Sequence, residues 1–379
     1  MKQIVYIGYY GGGRLKTRDL TDYNLAGTAK MQFIIQCLKK LGCSVLVLSL
    51  ATDKTPGYHP AERVDIDDRE SYVYLPFLGI RTGRGTAGSR SAVFYLKRYL
   101  EKNLTEDSVV VSYHSLGYGK VLQQLHRRIG FRWCPQIEEI YCLSRGELKA
   151  PEYLKREEEM FRGGDGFLFV NDLLAEKYAQ GKPYAVSYGN YHVFSEAAEP
   201  PEDRIRLVYT GIINADRGAF LLPDAVELLP DNYDLNVLGY GTEENMRAFL
   251  DRAEALNRSS GRERIRLCGT RSGREYTEFL RRNQIGISLM DDSEDISANA
   301  FPSKIMAYLG HGLYVVASGT ESVRRSRVAD MLNFCENTPE SVAETVLSVP
   351  VREKCNAAGK LRELEAVFLQ DLRRVLENS

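Results

Sequence analysis

The stretch Phe301-Pro-Ser-Lys-Ile-Met-Ala-Tyr-Leu-Gly-His-Gly-Leu-Tyr-Val-Val-Ala-Ser318 holds the residues best suited to chemistry. Pro302 suits a helix start, and Ser303 and Lys304 follow it directly. Backbone N–H groups there, the Ser303 hydroxyl and the Lys304 ammonium could together cradle a diphosphate. A solvated surface lysine is the alternative. Just upstream, Asp291, Asp292, Glu294 and Asp295 could offer oxygens to a hard cation. A solvated acidic loop or contacts to sugar hydroxyls account for them better. Gly11-Gly12-Gly13 after an apolar run would let the backbone approach an anion, or would form a tight turn. Neither the G-x-G-x-x-G spacing nor a G-K-[ST] follows, which excludes a dinucleotide fingerprint and a P-loop. His114 ends the run Val109-Val-Val-Ser-Tyr-His114, where its ring could donate to a sugar hydroxyl or a departing phosphate. A hydrogen-bonded structural histidine is the alternative.

These residues need elements to position them. Gln3–Gly8 predicts a strand, the apolar positions from Met31 to Leu41 a helix, and Ser44–Leu50 a second strand, which together make a βαβ unit. Further strands are expected at Tyr72–Leu75, Ser108–Ser112, Gln136–Tyr141 and Gly166–Val170, with helices near 88–103, 117–129 and 151–162. The acidic, Pro-containing Ser195–Asp203 predicts a linker, after which the alternation restarts at Arg206-Leu-Val-Tyr-Thr-Gly211. It continues through strands Leu235–Gly239, Ile265–Gly269, Ile285–Met290 and Tyr314–Ser318. The expectation is two doubly wound α/β domains facing across a cleft, with ligand bound at the carboxyl ends of the strands.

A chain of 379 residues, 27% charged and 44% apolar, has ample material for two cores. Its formal charge of −1 and lack of a reader motif argue against a nucleic-acid specialist. Seven cysteines without a CxxC suggest neither a disulfide framework nor zinc. The opening MKQIVYIGYYGGG is too short and Gly-rich for a signal peptide, and no apolar run is long enough to span a bilayer, so a cytoplasmic location is expected.

The Phe301–Ser318 stretch resembles the donor-nucleotide signature of GT-B fold glycosyltransferases, particularly glycosyltransferase family 4, with looser likeness to galactofuranosyl- and glucosyltransferase-like relatives. Tyr314 stands where that signature usually has its second proline. Leu207-Val-Tyr-Thr-Gly-Ile-Ile-Asn-Ala-Asp-Arg-Gly218 resembles the family's glycine-to-Lys-Gly loop, with Arg217 at the lysine position. Leu238-Gly-Tyr-Gly241 and Leu267-Cys-Gly-Thr-Arg271 are similar to two further nucleotide loops. The resemblance implies an acceptor domain over 1–194, a linker over 195–203, a donor domain over 204–357 and a tail helix over 358–379 that packs back on the first domain.

It also implies metal-independent, retaining transfer from a nucleotide-diphosphate sugar to a glycan or lipid-linked glycan, with no further cofactor. Arg217 and Lys304 would neutralise the leaving diphosphate, and His114 would position the sugar. Gly12, Gly13, Gly211, Gly241, Thr270, Arg271, Asp292, Asn299 and Ser303 would line the donor site. Glu138 and Glu139, late in a strand, would order acceptor hydroxyls or act as a base, unless they are surface carboxylates. The family's paired glutamates fall on Asn299 and Ala307, so the ribose carboxylate is absent from its usual position. A catalytically silent glycan-binding or partner-stabilising protein, or a sugar-nucleotide epimerase, is therefore the alternative.

The charge is unevenly spread. Residues 1–150 carry 22 Lys and Arg against 14 Asp and Glu, while 151–203 carry 5 against 11. Arg81, Arg84, Arg90, Lys97, Arg98 and Lys102 interleave with Val93, Phe94, Leu96, Tyr99 and Leu100. They predict either an amphipathic helix packed on its own sheet or a basic face that meets the inner surface of a membrane.

Overall fold

A computed structural model describes residues 2–377 apart from 13–14, 16–19, 21–24, 83–84, 145–150, 196–202, 216, 291–299, 354 and 356. The chain divides into two compact units, Met1–Ser187 with Val367–Ser379, and Tyr188–Ala366.

The first unit carries eleven described strands: β1 (Gln3–Gly8), β2 (Ser44–Ser49), β3 (Gly57–His59), β4 (Glu62–Asp67), β5 (Glu70–Tyr74), β6 (Phe77–Thr82), β7 (Gly85–Ala87), β8 (Val109–Tyr113), β9 (Arg132–Ile137), β10 (Phe167–Phe169) and β11 (Tyr184–Val186). Eight of them form one sheet in the order β11-β10-β9-β8-β1-β2-β5-β4, parallel except for the β4–β5 edge. Strand β1 is buried from Ile4 to Gly8 because helices cover both sheet faces, so it reads as a continuous apolar run rather than an alternating one. The three short strands β3, β6 and β7 make a separate antiparallel sheet that periodicity does not predict. Strand β9 begins at Arg132, four residues before the predicted Gln136, and carries Pro135 within it.

The second unit is a six-stranded parallel sheet: β12 (Ile205–Ile212), β13 (Tyr233–Tyr240), β14 (Ile265–Leu267), β15 (Ile285–Ser288), β16 (Tyr314–Ser318) and β17 (Leu332–Cys335). Its order is β14-β13-β12-β15-β16-β17, the doubly wound pattern in which the winding reverses between the first strand and the fourth. Leu207, Tyr209, Leu235, Val237, Ile285, Ile287 and Val316 form the centre of its core. Strand β17 and the following helix Pro339–Ser348 lie beyond the elements expected from the sequence.

The acidic stretch was expected to separate the domains, yet the first unit ends earlier, at Ser187. Residues after it pack on the second unit. The amides of Phe194 and Ser195 donate to Gly310 O, and the Phe194 ring stacks on His311 at 4.5 Å. The C-terminal helix Ala357–Leu376 returns to the first unit from Val367 onward, where Phe368 meets Phe33 and Val375 O accepts from Arg132 Nε.

Candidate functional site

The reversal point of the second sheet lies between β12 and β15, and three sequence-predicted residues meet there. Strand β12 carries Thr210-Gly211 just before its last residue, with Gly211 at φ +133°. A side chain at Gly211 would be strained by that backbone and would come 3.4 Å from the Lys304 ammonium. Lys304 enters from the helix Ser303–Gly310, whose N-cap position is Pro302 and therefore offers no side-chain cap to the first amides. Its Nζ is buried, sits 4.0 Å over the Tyr209 ring, and finds no hydrogen-bond partner among the described residues.

The sequence dictates this convergence through Tyr308, one helical turn past Lys304. Its hydroxyl accepts from Thr210 N at 2.9 Å, and its ring lies against Gly286 of β15 so closely that a Cβ there would be 2.3 Å from it. The helix is thereby clamped across β12 and β15, which aims Lys304 at Gly211. Arg217 approaches from the turn after β12, where its amide donates to Asn214 Oδ1 and Tyr209 OH donates to Ile212 O. Desolvation, with a smaller contribution from Arg217, lowers the Lys304 pKa to about 7. Two cationic side chains therefore share a site with no carboxylate partner for Lys304 among the described residues. A buried ammonium costs free energy unless an anion or hydrogen-bond acceptor meets it.

Other predicted donor-side residues have distinct places. Ser303 is exposed at the helix start. Gly241 approaches Ile213 O, where a Cβ would be only 2.8 Å away, so this glycine is needed for packing. Thr270 and Arg271 line a cavity of about 440 Å³ with Cys268, Glu275, Glu278, Phe279 and Arg282, and the Arg271 guanidinium lies 4.7 Å over the Phe279 ring. Burial raises the pKa of Tyr276, on the same helix as Phe279, and the Thr210 side chain of β12 partly offsets that rise. Gly13, Asp292 and Asn299 lie outside the described residues, as do Asp291, Glu294 and Asp295. Among the described residues no group of three His, Cys, Asp or Glu side chains could hold a metal ion, and all seven cysteines are free.

In the first unit the expectation that His114 faces a cleft needs correction, while Glu138 and the glycine loop are held by internal contacts. His114 follows β8 as predicted, but its side chain is 0% exposed. Its ring stacks on Tyr141 at 4.1 Å and meets the edge of Phe161, while Nε2 lies 2.9 Å from Glu157 Oε1. Glu157 is equally buried and also accepts from the amides of Tyr141 and Cys142. The ring has no open face for a sugar, so His114 is a structural histidine here. Glu138 is bound to Lys30 at 2.6 Å and accepts from Gln136, which in turn accepts from Tyr6 OH. Its carboxylate is committed internally, whereas Glu139 is half-buried. Gly12 O accepts from Tyr74 OH and Gly11 N donates to Thr28 Oγ1, so side chains tie down this part of the loop.

Sequence reasoning missed Tyr209, Tyr308, Glu157 and Lys30. The only signal for Tyr308 was its i+4 spacing from Lys304, which puts both on one helix face.

No family model matches the sequence, and no curated protein does. Solved structures match in fold. The chain is similar to OtsA in an apo structure, at 10% identity and a TM-score of 0.71, over 100% of both chains. It is similar to "Trehalose-6-phosphate from E. coli bound with UDP-2-fluoro glucose", at 10% identity and a TM-score of 0.69, again over 100% of both. A third likeness is to an α,α-trehalose-phosphate synthase (UDP-forming) from Burkholderia xenovorans in complex with glucose-6-phosphate, at 11% identity and a TM-score of 0.68 over 100% of both. The architecture is the GT-B fold, two Rossmann-like α/β units.

Proposed function

We propose that the protein is a glycosyltransferase that moves a hexosyl or related glycosyl group from a nucleoside-diphosphate sugar to a saccharide hydroxyl, with retention. The observation that carries this reading is the buried, unpartnered Lys304 ammonium facing Gly211 beside Arg217 at the reversal point of the second sheet. When the glycosidic bond to the donor breaks, negative charge grows on the departing diphosphate. Lys304, Arg217 and the uncapped amides of the Ser303 helix would stabilise that charge without a metal. The GT-B resemblance of Phe301–Ser318 implies that Lys304 and Ser303 meet the diphosphate, and that of Leu267–Arg271 implies that Thr270 and Arg271 approach the nucleotide. Acceptors in keeping with the fold are a sugar phosphate, such as the glucose-6-phosphate held by the Burkholderia protein, or a glycan or lipid-linked glycan.

The absence of carboxylates at Asn299 and Ala307 favours a second reading, a binder without turnover. A panel of nucleotide sugars, each assayed for nucleoside-diphosphate release with and without sugar phosphates and oligosaccharides, separates the two. Acceptor-dependent release from one donor is the expected result. Binding without release from any donor would support the silent protein, and epimerised donor without acceptor would support an epimerase.

The Lys304 pKa makes a further prediction. Near pH 7 the free protein holds this group about half protonated. A bound diphosphate favours the ammonium, so above pH 7 binding must take up a proton. Affinity for a nucleoside diphosphate should therefore weaken as pH rises from about 7 to about 9, by up to roughly tenfold per unit. Calorimetric titrations in buffers of different ionisation enthalpy measure that uptake directly; affinity independent of pH over this range would exclude Lys304 as the titrating contact.

A further inference from the structure

Strand β6 is apolar on both faces but covered on only one. Phe77 is fully buried with the His59 ring stacked on it at 4.2 Å, whereas the alternating Leu78 and Ile80 are 45% and 59% exposed. Tyr58 stands directly opposite Leu78 in the β3–β6 pair, so these three side chains share one side of the small sheet. The neighbouring helix Ser89–Asn103 extends the same surface. It buries Ala92, Leu96 and Leu100 and leaves Phe94 half exposed, with Tyr95 joining Phe94 to Tyr58 through ring contacts at 5.5 and 6.3 Å. Leu78 N donates to Ser91 Oγ, which fixes strand and helix together. The outer face of such a sheet is ordinarily polar, and clustered exposed apolar groups mark a contact site.

The charge along β6 and most of the neighbouring helix has one sign. From Phe77 to Leu100 every side chain charged at neutral pH is basic: Arg81, Arg84, Arg90, Lys97 and Arg98. Arg81, Arg90, Lys97 and Arg98 are exposed, and Arg98 lies 5.6 Å over the Phe94 ring. The first carboxylate beyond them, Glu101, is paired with Arg128 at 2.8 Å.

We propose that this face docks the protein peripherally on an anionic lipid bilayer. Tyr58, Leu78, Ile80 and Phe94 enter the boundary between headgroups and acyl chains, and Arg90, Lys97 and Arg98 meet the lipid phosphates. No helix among the described residues is long and apolar enough to cross a membrane, so the contact is a surface one. It uses none of the residues assigned to the donor and stands whether or not the protein transfers sugars.

Cosedimentation of the full chain with phosphatidylcholine vesicles, and with vesicles containing about one third phosphatidylglycerol, tests it. The protein should bind the anionic vesicles and leave the neutral ones. The pair Lys97→Glu and Arg98→Glu, at exposed helix positions that circular dichroism can show to be folded, should weaken binding at least about 25-fold, at roughly fivefold per charge. Leu78→Ser with Phe94→Ser should also release the protein. No binding to either vesicle, equal binding to both, or unchanged binding by the charge-reversed protein would overturn the proposal. So would a dimer that Leu78→Ser with Phe94→Ser dissolves, because a second copy would then cover this face.

Discussion

Replacing Lys304 by methionine should lower glycosyl transfer by roughly 10²–10³-fold, the cost of losing one preorganised group that stabilises charge in the transition state. The melting temperature should stay level or rise. A buried ammonium with no acceptor among the described residues is a burden on the folded chain, and methionine fills similar volume without that desolvation cost. The two effects have opposite signs, and this is what separates a ligand-binding lysine from a structural one. Thermal melts and single-turnover rates on the same preparation read both. A variant that loses activity only because it melts early would contradict the assignment. Arg217→Ala should lose activity in the same direction, since the Arg217 charge acts on the Lys304 site.

Glu157→Leu should destabilise the first unit by about 2–6 kcal/mol, roughly 1–3 kcal/mol for each of two buried amides left without an acceptor. The carboxylate is 0% exposed, accepts from Tyr141 N at 2.8 Å and Cys142 N at 3.0 Å, and lies 2.9 Å from His114 Nε2. Leucine leaves both amides unsatisfied. Burial by itself would raise the Glu157 pKa, but His114 and the Cys142 contacts outweigh it and hold the carboxyl below its usual range. Its stabilising contribution is therefore complete above the ordinary glutamate pKa and is lost as pH falls through the depressed one. Denaturant melts of the wild type and variant should accordingly converge at strongly acidic pH. A gap that stays constant down to that pH would mean that the carboxylate is not the cause.

The second unit was largely legible because its central strands are mostly apolar and recur at the spacing of a strand–helix alternation. Tyr314–Ser318 forms a strand over the expected residues, and the helix Ser303–Gly310 starts directly after Pro302, as expected. Lys304 could be singled out because proline, serine and lysine at a helix start carry local chemistry. Its partner surface could not, since Tyr209 reads as an ordinary core residue of β12 and only the tertiary fold brings its ring beneath the ammonium. His114 misled for a similar reason. Its position after β8 was correct, but the direction of its ring is decided by Glu157, 43 positions away in sequence, and by Tyr141 and Phe161. Glu138 likewise meets Lys30 only through the folded sheet. The β3-β6-β7 sheet escaped because two of its strands have only three residues each, too short to show a period.

Hydrogen exchange of the whole chain, with and without a panel of nucleoside diphosphates, tests the central claim most directly. If Gly211, Arg217 and Lys304 receive a diphosphate, at least one member of the panel should slow exchange at the end of β12 through Gly218 and at the start of the Ser303 helix, and Lys304→Met should abolish that protection. If no nucleoside diphosphate protects either segment, or if the protection survives Lys304→Met, the diphosphate does not bind there and the account fails.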